Sequence, residues 1–376
     1  MRHSIAIASA AMALAVGANQ AQAESKGYII SNWAPAMNNF DESGCPEGKN
    51  PTIAEITAYT LKNQGMPADQ IAKIVTPQGV NRQAVGDRLV MRGNKDGQAV
   101  NAYLHPLSAP DPKIKLEMNK EGFGFNLDGK VGPLDYFDPL TKESGVDNAA
   151  ARVFGCFDRT RGTLEQPPGN WSYRWTHYME GNSWLLSIDN HSDRPLDFKN
   201  EEKVTVTFYR GHQIPMMNSA GYQRDVTYTI DPNSELKTLT KFKGKIKDGV
   251  FMSERTPQFR MIASSRVQPV FDFKSALMRM TFKEDGQLLA FVGGYLPIKM
   301  VYFPFGDYAS SAESAGGMDV VGVYHALQRN ADSDIDMVGK TRTRISQTYQ
   351  LSAVPAYLIE EPKEPAGTRT ASAAGR

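Results

Sequence analysis

The pattern of apolar and polar positions changes along the chain from a helical period to an alternating one. Between residues 52 and 63 the apolar side chains recur at helical spacing, and Thr52-Ile53-Ala54-Glu55 has the form of a capping box. Pro67 opens a second short helix that extends to Val75, and a third amphipathic stretch covers residues 81–90. Residues 24–100 are therefore predicted to form a short helical N-terminal segment.

Beyond about residue 171, apolar and polar residues alternate as they do in half-buried strands. Such runs cover residues 184–189, 203–209, 225–230, 277–282, 288–292 and 349–359. Two Asp-Gly pairs, at Asp248-Gly249 and Asp285-Gly286, predict tight turns because these residues tolerate positive φ. We interpret residues 101–359 as a mainly β domain, an antiparallel β-sandwich or barrel-like body with one C-terminal helix over residues 319–329.

The first 23 residues have the features of a cleavable signal peptide. Met1-Arg2-His3 is basic, an apolar run from Ile5 to Val16 follows, and Ala21-Gln22-Ala23 suits cleavage after Ala23. This run is shorter than the roughly 20 residues of a membrane-spanning helix, and no later stretch is expected to span a bilayer. We expect a periplasmic or secreted mature chain with a flexible tail at residues 360–376, which are rich in small residues and proline.

The charge balance bears on the possible partners. The chain has 42 Lys and Arg against 41 Asp and Glu, and removal of Arg2 with the signal peptide leaves it neutral. Proteins that bind nucleic acid or an anionic membrane usually carry a one-sided basic excess or stripe. We therefore expect neither nucleic acid nor a membrane surface as a partner.

Cys45 and Cys156 are the only cysteines of the chain. In an oxidising compartment two cysteines most simply form one disulfide, and two free buried thiols are the alternative. Their separation excludes a C-x-x-C redox site, a c-type haem attachment site and a thiolate zinc site.

Three motifs carry a resemblance to known proteins. They are Cys45-Pro46-Glu47-Gly48, then Gly145-Val146-Asp147-Asn148 with the following Arg152 and Gly155-Cys156, and the run Tyr324-His325-Ala326-Leu327-Gln328-Arg329-Asn330-Ala331-Asp332. With these motifs the chain resembles a group of large secreted bacterial proteins of uncharacterised activity. The resemblance implies no activity, but it supports pairing of the two cysteines, because both lie inside its motifs.

Residues 126–148 form the densest acidic segment of the chain. Carboxylates and amides around glycines are ligands that Ca²⁺ prefers, although the spacing is not that of an EF-hand. We predict that Asp128, Asp138 and Asp147 converge on one structural Ca²⁺. The alternative is that each aspartate belongs to a separate solvated turn.

Aromatic residues concentrate between positions 171 and 184. Trp171, Tyr173 and Trp175 alternate as on one face of a strand, and Trp184 follows. An exposed row of this kind stacks on sugar rings or other flat ligands, whereas a buried row belongs to the core. We take these four residues as the candidate ligand-binding set.

The motifs of several enzyme classes are missing from the sequence. Neither a Gly-x-Ser-x-Gly elbow, a phosphate-binding loop nor an H-E-x-x-H pair occurs. The first hypothesis is thus an exported protein that binds a glycan, a polymer or an apolar small molecule. The second is a hydrolase of an extracellular polymer that uses two carboxylates from Asp128, Asp138, Asp147 or Asp189. The third is an accessory subunit held by an envelope protein partner.

Overall fold

A computed structural model describes residues 25–38, 43–76, 79–168, 177, 181–219, 221–231, 240–262, 270–306, 317–335 and 341–360. The predicted signal peptide and the tail beyond residue 360 lie outside these residues. Among the residues that the structure describes, no helix combines the length and the apolar character that a membrane crossing requires.

The helices are short and lie mostly in the first half of the chain. In chain order they are α1 (Ile53–Asn63), α2 (Ala68–Ile74), α3 (Arg82–Val90), α4 (Ala149–Phe154), α5 (Ile298–Gly306) and α6 (Val320–Arg329). Single 3₁₀ turns occupy Pro106–Ser108 and Asp158–Thr160. The predicted helices at residues 52–63, 67–75, 81–90 and 319–329 are confirmed as α1, α2, α3 and α6.

The strands are longest in the second half of the chain. In chain order they are β1 (Ser25–Pro35), β2 (Val75–Thr76), β3 (Gly79–Val80), β4 (Gly93–Lys95), β5 (Gln98–Val100), β6 (Tyr136–Phe137), β7 (Ser144–Val146), β8 (Ser183–Asn190), β9 (Glu201–Gly211), β10 (Met217–Asn218), β11 (Gly221–Tyr222), β12 (Val226–Ile230), β13 (Lys241–Lys247), β14 (Val250–Ser253), β15 (Thr256–Ile262), β16 (Val270–Phe282), β17 (Leu288–Pro297), β18 (Ser333–Ile335) and β19 (Arg342–Glu360).

Antiparallel pairing closes the main sheet into an eight-stranded barrel. The order around the barrel is β1, β8, β9, β13, β14, β16, β17 and β19, and β19 pairs again with β1. Three further strands lie outside this circuit. β12 pairs with β9 and β19, β15 pairs with β16, and β18 pairs with β19. The prediction of a mainly β, antiparallel body is confirmed in its barrel form.

Aromatic side chains fill the interior of the barrel. Trp33 of β1 stacks on Tyr349 of β19 at 5.2 Å between ring centroids, and Phe208 lies 5.1 Å from Phe259. Trp33, Phe208 and Phe259 are each no more than 1% exposed. An eight-stranded barrel is just wide enough for side chains to fill it, so these rings form a packed core.

The first strand, β1, lies inside the segment that we predicted to be helical. We expected residues 24–100 to be a helical segment, but residues 25–35 form a barrel strand between β8 and β19. The helical segment therefore begins only at Ile53. It packs outside the barrel around its own small cluster of Leu61, Val85 and Leu89.

The outer face of the barrel beside β17 is also covered. Phe123 and Phe125 pack there against Phe291, together with Leu127 and Tyr295. A disulfide joins Cys45 to Cys156 with a Cα–Cα distance of 5.8 Å, which confirms the predicted bridge. A disulfide is compatible with an extracellular or periplasmic location.

Candidate functional site

A cleft of about 500 Å³ lies outside the barrel, between α1 and the chain at residues 109–112. Its volume is within the range of roughly 300–1,000 Å³ that small-molecule sites occupy. One wall is α1, the other is residues 109–112, and Arg92 and Asp319 also line the cleft. The lining is thus mixed, with carboxylates and one guanidinium among apolar and aromatic side chains.

The α1 wall is fixed by the capping box that the sequence predicts. The Thr52 side chain accepts the backbone N–H of Glu55, and the Glu55 carboxylate accepts the backbone N–H of Thr52 at 2.7 Å. Ile56 and Leu61 are buried on one side of α1. Tyr59 is 61% exposed and lines the cleft, so its ring is available to a ligand.

Contacts with three parts of the chain hold Arg92. Its guanidinium donates to the Leu89 carbonyl at 2.9 Å and to the Tyr103 hydroxyl at 3.4 Å, and it lies 5.2 Å above the Tyr103 ring. It also lies 3.5 Å from the Asp319 carboxylate, which caps α6 by accepting the Gly322 N–H at 2.9 Å. The cap of α6 therefore fixes this part of the cleft as well.

The carboxylates of the two walls have lowered pKa values. Burial acts to raise the pKa of Asp111, but the Lys113 backbone N–H and the paired Arg329 guanidinium together lower it. The pKa of Glu55 is lowered by its hydrogen bonds from Thr52. At neutral pH both groups are therefore ionised and act as hydrogen-bond acceptors rather than proton donors.

The structure does not bring the three predicted calcium ligands together. Asp138 is fully buried and its carboxylate lies 2.7 Å from Arg279, whereas Asp147 accepts the Leu127 N–H at 2.6 Å. Asp128 accepts the Lys130 N–H at 2.8 Å in its own turn. Within the described ranges no group of three or more His, Cys, Asp or Glu is placed to hold a metal ion. The predicted convergence is wrong, because each carboxylate is engaged by separate protein donors.

Asp147 nevertheless has an unusual environment. Burial raises its pKa to about 7, against the effect of its hydrogen bond from Leu127. The negative charges of Asp128, Asp135 and Asp332 raise it further. This carboxyl is consequently shared between its protonated and ionised forms near neutral pH.

The predicted aromatic binding set is only partly described. Trp171, Tyr173 and Trp175 lie outside the described residues. Trp184 is 1% exposed, and its ring lies 5.6 Å from that of Trp33 in the barrel core. Trp184 is therefore a core residue, and its assignment to an exposed stacking surface is wrong because its strand directs it into the barrel.

The cleft residues were not found from the sequence. Arg92 and Asp319 are 227 positions apart, and neither belongs to a recognisable motif. The only local indications were the capping box of α1 and the predicted start of α6 at residue 319.

No family model, curated protein or solved structure matches the chain.

Proposed function

We propose that this chain is an exported binding protein whose cleft beside α1 holds part of a glycan. The observation that carries the proposal is the cleft of about 500 Å³ with the 61% exposed Tyr59 in its wall. A tyrosine ring offers a flat apolar face to a sugar ring, and its hydroxyl adds a polar edge.

The charged groups of the cleft suit a ligand rich in hydroxyl groups. The ionised carboxylates of Glu55 and Asp111 accept hydrogen bonds from sugar hydroxyls, and hydrogen bonds to ionised acceptors are the stronger ones. Pro110 and Pro112 add apolar surface on the wall that includes Asp111. A few polar groups in an apolar cleft are the usual composition of a small-molecule site.

Binding is favoured over hydrolysis at this cleft. Glycoside hydrolysis uses one carboxylic acid with a raised pKa as the proton donor. The pKa values of Glu55 and Asp111 are lowered instead. These carboxylates therefore support recognition of hydroxyl groups and not protonation of a leaving group.

The test is a thermal melt of the mature protein with cellohexaose and, separately, maltohexaose. A ligand at about 100 times its Kd stabilises the folded state by roughly 2.7 kcal/mol, which raises Tm by several degrees. The Tyr59→Ala variant should lose this rise. The matched control is Tyr357→Ala, which removes a 59% exposed tyrosine on β19 outside the cleft, and it should retain the rise. Unchanged melts for the wild type, or equal losses in both variants, would refute glycan binding at the cleft.

Export is the second part of the proposal. It is supported by the basic start, apolar run and Ala21-Gln22-Ala23 ending of residues 1–23, and by the Cys45–Cys156 disulfide. The mature chain should begin at Glu24, one residue before β1. N-terminal sequencing of protein from the cell envelope or medium checks this, and material that retains Met1 would contradict it.

A hydrolase remains the second candidate because of Asp147. A carboxyl with a pKa of about 7 has the acidity of a general acid. If the chain hydrolyses a polysaccharide with this residue, Asp147→Asn should lower the rate at least 100-fold. Asp193→Asn changes an exposed carboxylate outside the candidate set and is the matched control. Absence of wild-type hydrolysis of several acidic and neutral polysaccharides would remove this candidate.

A further inference from the structure

One strand of the barrel wall carries a row of lysines. β13 has the sequence KFKGKIK, in which Phe242 and Ile246 are buried in the barrel core. Because side chains alternate across a strand, the lysines between them stand on the outer face. All members of this lysine row are exposed: Lys241, Lys243, Lys245 and Lys247.

The lysines of the row are regularly spaced along β13. Alternate residues of a strand are roughly 6.7 Å apart, so the row is about 20 Å long. Within the described part of the chain, none of its members has a carboxylate within ion-pair distance. Four like charges at this spacing repel one another, and an anionic ligand reverses the sign of the interaction.

Most residues that pair directly with the row on the neighbouring strands are uncharged. On β9, Thr207 and Thr205 lie opposite Lys241 and Lys243. On β14, Met252 lies opposite Lys245 and is 41% exposed.

Within the described residues, the nearby acidic side chains form no ion pair with the row. Glu201 lies opposite Ile246 and is itself paired with Arg194 at 3.1 Å. Glu254 lies beside Lys243, because its backbone N–H donates to the Lys243 carbonyl at 2.7 Å. Glu202 and Lys203 fall in the register shift of β9 between the partners of Gly244 and Ile246. The row thus keeps an excess of positive charge, although Glu202 and Glu254 lie beside it.

We propose that the lysine row binds an extended acidic polysaccharide that lies along β13. The row matches a linear polyanion because its charges form a single line about 20 Å long. A flat anionic membrane would be better matched by lysines spread over several neighbouring strands, and β14 offers Val250 and Met252 instead. The choice of a polysaccharide over a nucleic acid rests on the proposed export of the chain and is independent of the cleft beside α1.

The experiment uses the mature protein and a size-defined linear sulfated probe, a heparin octasaccharide, titrated at several NaCl concentrations. If each lysine releases about 0.7 counterions, as contacts to a single strand of phosphates do, the row contributes about −3 to the slope of log K against log salt. Replacement of all four lysines of the row by glutamine should remove that part of the slope and weaken binding at least tenfold.

A matched variant removes the same charge elsewhere. Four other exposed lysines are replaced by glutamine, and binding should stay within twofold of the wild type: Lys62, Lys73, Lys95 and Lys120. Equal weakening in both quadruple variants would overturn the proposal, because it would show a dependence on net charge alone. The Tyr59→Ala variant should bind the octasaccharide like the wild type, which separates this surface from the cleft.

A second variant leaves every lysine in place. Met252→Glu puts a carboxylate beside Lys245, and it should weaken octasaccharide binding even if the quadruple variant folds poorly. Inorganic sulfate at the same anion concentration should not compete, because it cannot span the row. The proposal fails if the wild type ignores the octasaccharide, if sulfate competes equally, or if only phosphatidylglycerol vesicles or single-stranded DNA bind.

Discussion

Asp147 links a local environment to the pH dependence of folding. Its pKa is about 7 in the folded chain, mainly because of burial, and about 3.9 in an unfolded chain. The folded state therefore binds this proton more tightly, so stability from this group is present below pH 4 and is lost as the pH rises towards 7.

We expect Asp147→Asn to gain stability relative to the wild type as the pH rises from 4 to 8. The asparagine oxygen can still accept the backbone N–H groups of Leu127 and Asp128, but it cannot ionise. After allowance for partial solvent screening, the relative gain should be about 1 to 2 kcal/mol. Urea unfolding at each pH measures it. Asp193→Asn, which changes an exposed carboxylate, should show no such trend, and a constant Asp147→Asn difference would contradict the assigned pKa.

The buried ion pair of Asp138 and Arg279 connects the segment that follows β6 to the barrel strand β16. Asp138 also accepts the Leu140 N–H, and the Arg279 guanidinium lies 4.9 Å above the Phe291 ring. Removal of one partner leaves a buried charge uncompensated, so Asp138→Ala should lower the free energy of unfolding by about 3 to 5 kcal/mol. Chemical denaturation measures this. The control Lys49→Ala breaks the exposed pair with Asp158 and should cost no more than about 1 kcal/mol. Equal effects of the two substitutions would mean that burial of the pair is unimportant.

These residues also show which parts of the site the sequence could indicate. The acidic segment was visible, but the partner of Asp138 lies 141 positions away on β16. Sequence spacing does not reveal that an arginine neutralises this aspartate, so a metal site was predicted where an ion pair exists. Trp184 was misassigned for a similar reason, since its alternation fits either face of a strand.

At the scale of elements, the capping box of α1 connects helix stability to the cleft. Thr52→Ala removes the side-chain acceptor of the Glu55 N–H and should destabilise α1 by about 1 kcal/mol. Because α1 packs outside the barrel, we expect faster hydrogen exchange for the amides of α1 and unchanged exchange in β16 and β17. Thr343→Ala removes a hydroxyl near the exposed start of β19 and serves as the control. Uniformly faster exchange in the barrel would contradict an independent α1 segment.

Local sequence patterns predicted the helix start and the turns correctly where a single local interaction determines the position. The Thr52–Glu55 box marks the start of α1, and Gly249 and Gly286 adopt the positive φ of the predicted turns. The closure of the barrel depends instead on β1 pairing with β19, which lies more than 300 positions later, and no local pattern specifies it. The cover of β17 by Phe123 and Phe125 is equally non-local, because this segment lacks a regular period.

At the scale of the whole molecule, net charge conceals the charge distribution. The chain has 42 Lys and Arg against 41 Asp and Glu, and from this balance we expected neither nucleic acid nor a membrane surface as a partner. The period of two in KFKGKIK places every lysine of the segment on one face, and the pairing of β13 in the barrel wall leaves that face open. The net charge of the whole chain does not reveal this row. A count of charged residues at every second position along the segment does reveal it.

The disulfide closes a long loop between the end of β1 and the end of α4. Cys45 follows β1 and Cys156 follows α4, with a sequence separation of 111, and the adjacent Asn50 N–H donates to the Cys156 carbonyl at 2.9 Å. Closure of a loop of this length removes unfolded-state entropy worth about 4 to 5 kcal/mol as an upper figure. The bridge therefore stabilises the fold mainly by limiting the unfolded chain.

We expect the Cys45→Ser/Cys156→Ser variant to lose about 2 to 4 kcal/mol of stability, because native-state relaxation and residual structure reduce the entropic effect. Chemical denaturation at equilibrium measures the loss, and hydrogen exchange should speed up around residues 43–50 and 149–157 before it does in β16 and β17. Ser187→Ala, which keeps the bridge and removes one hydroxyl from β8, is the control. The intact mass of the wild type should increase by two hydrogens when the protein is reduced. Thiol labelling of the unreduced, denatured wild type would contradict this account, because it would show that the bridge is absent. A double variant as stable as the wild type would also contradict it, because the bridge would then leave the unfolded ensemble unchanged.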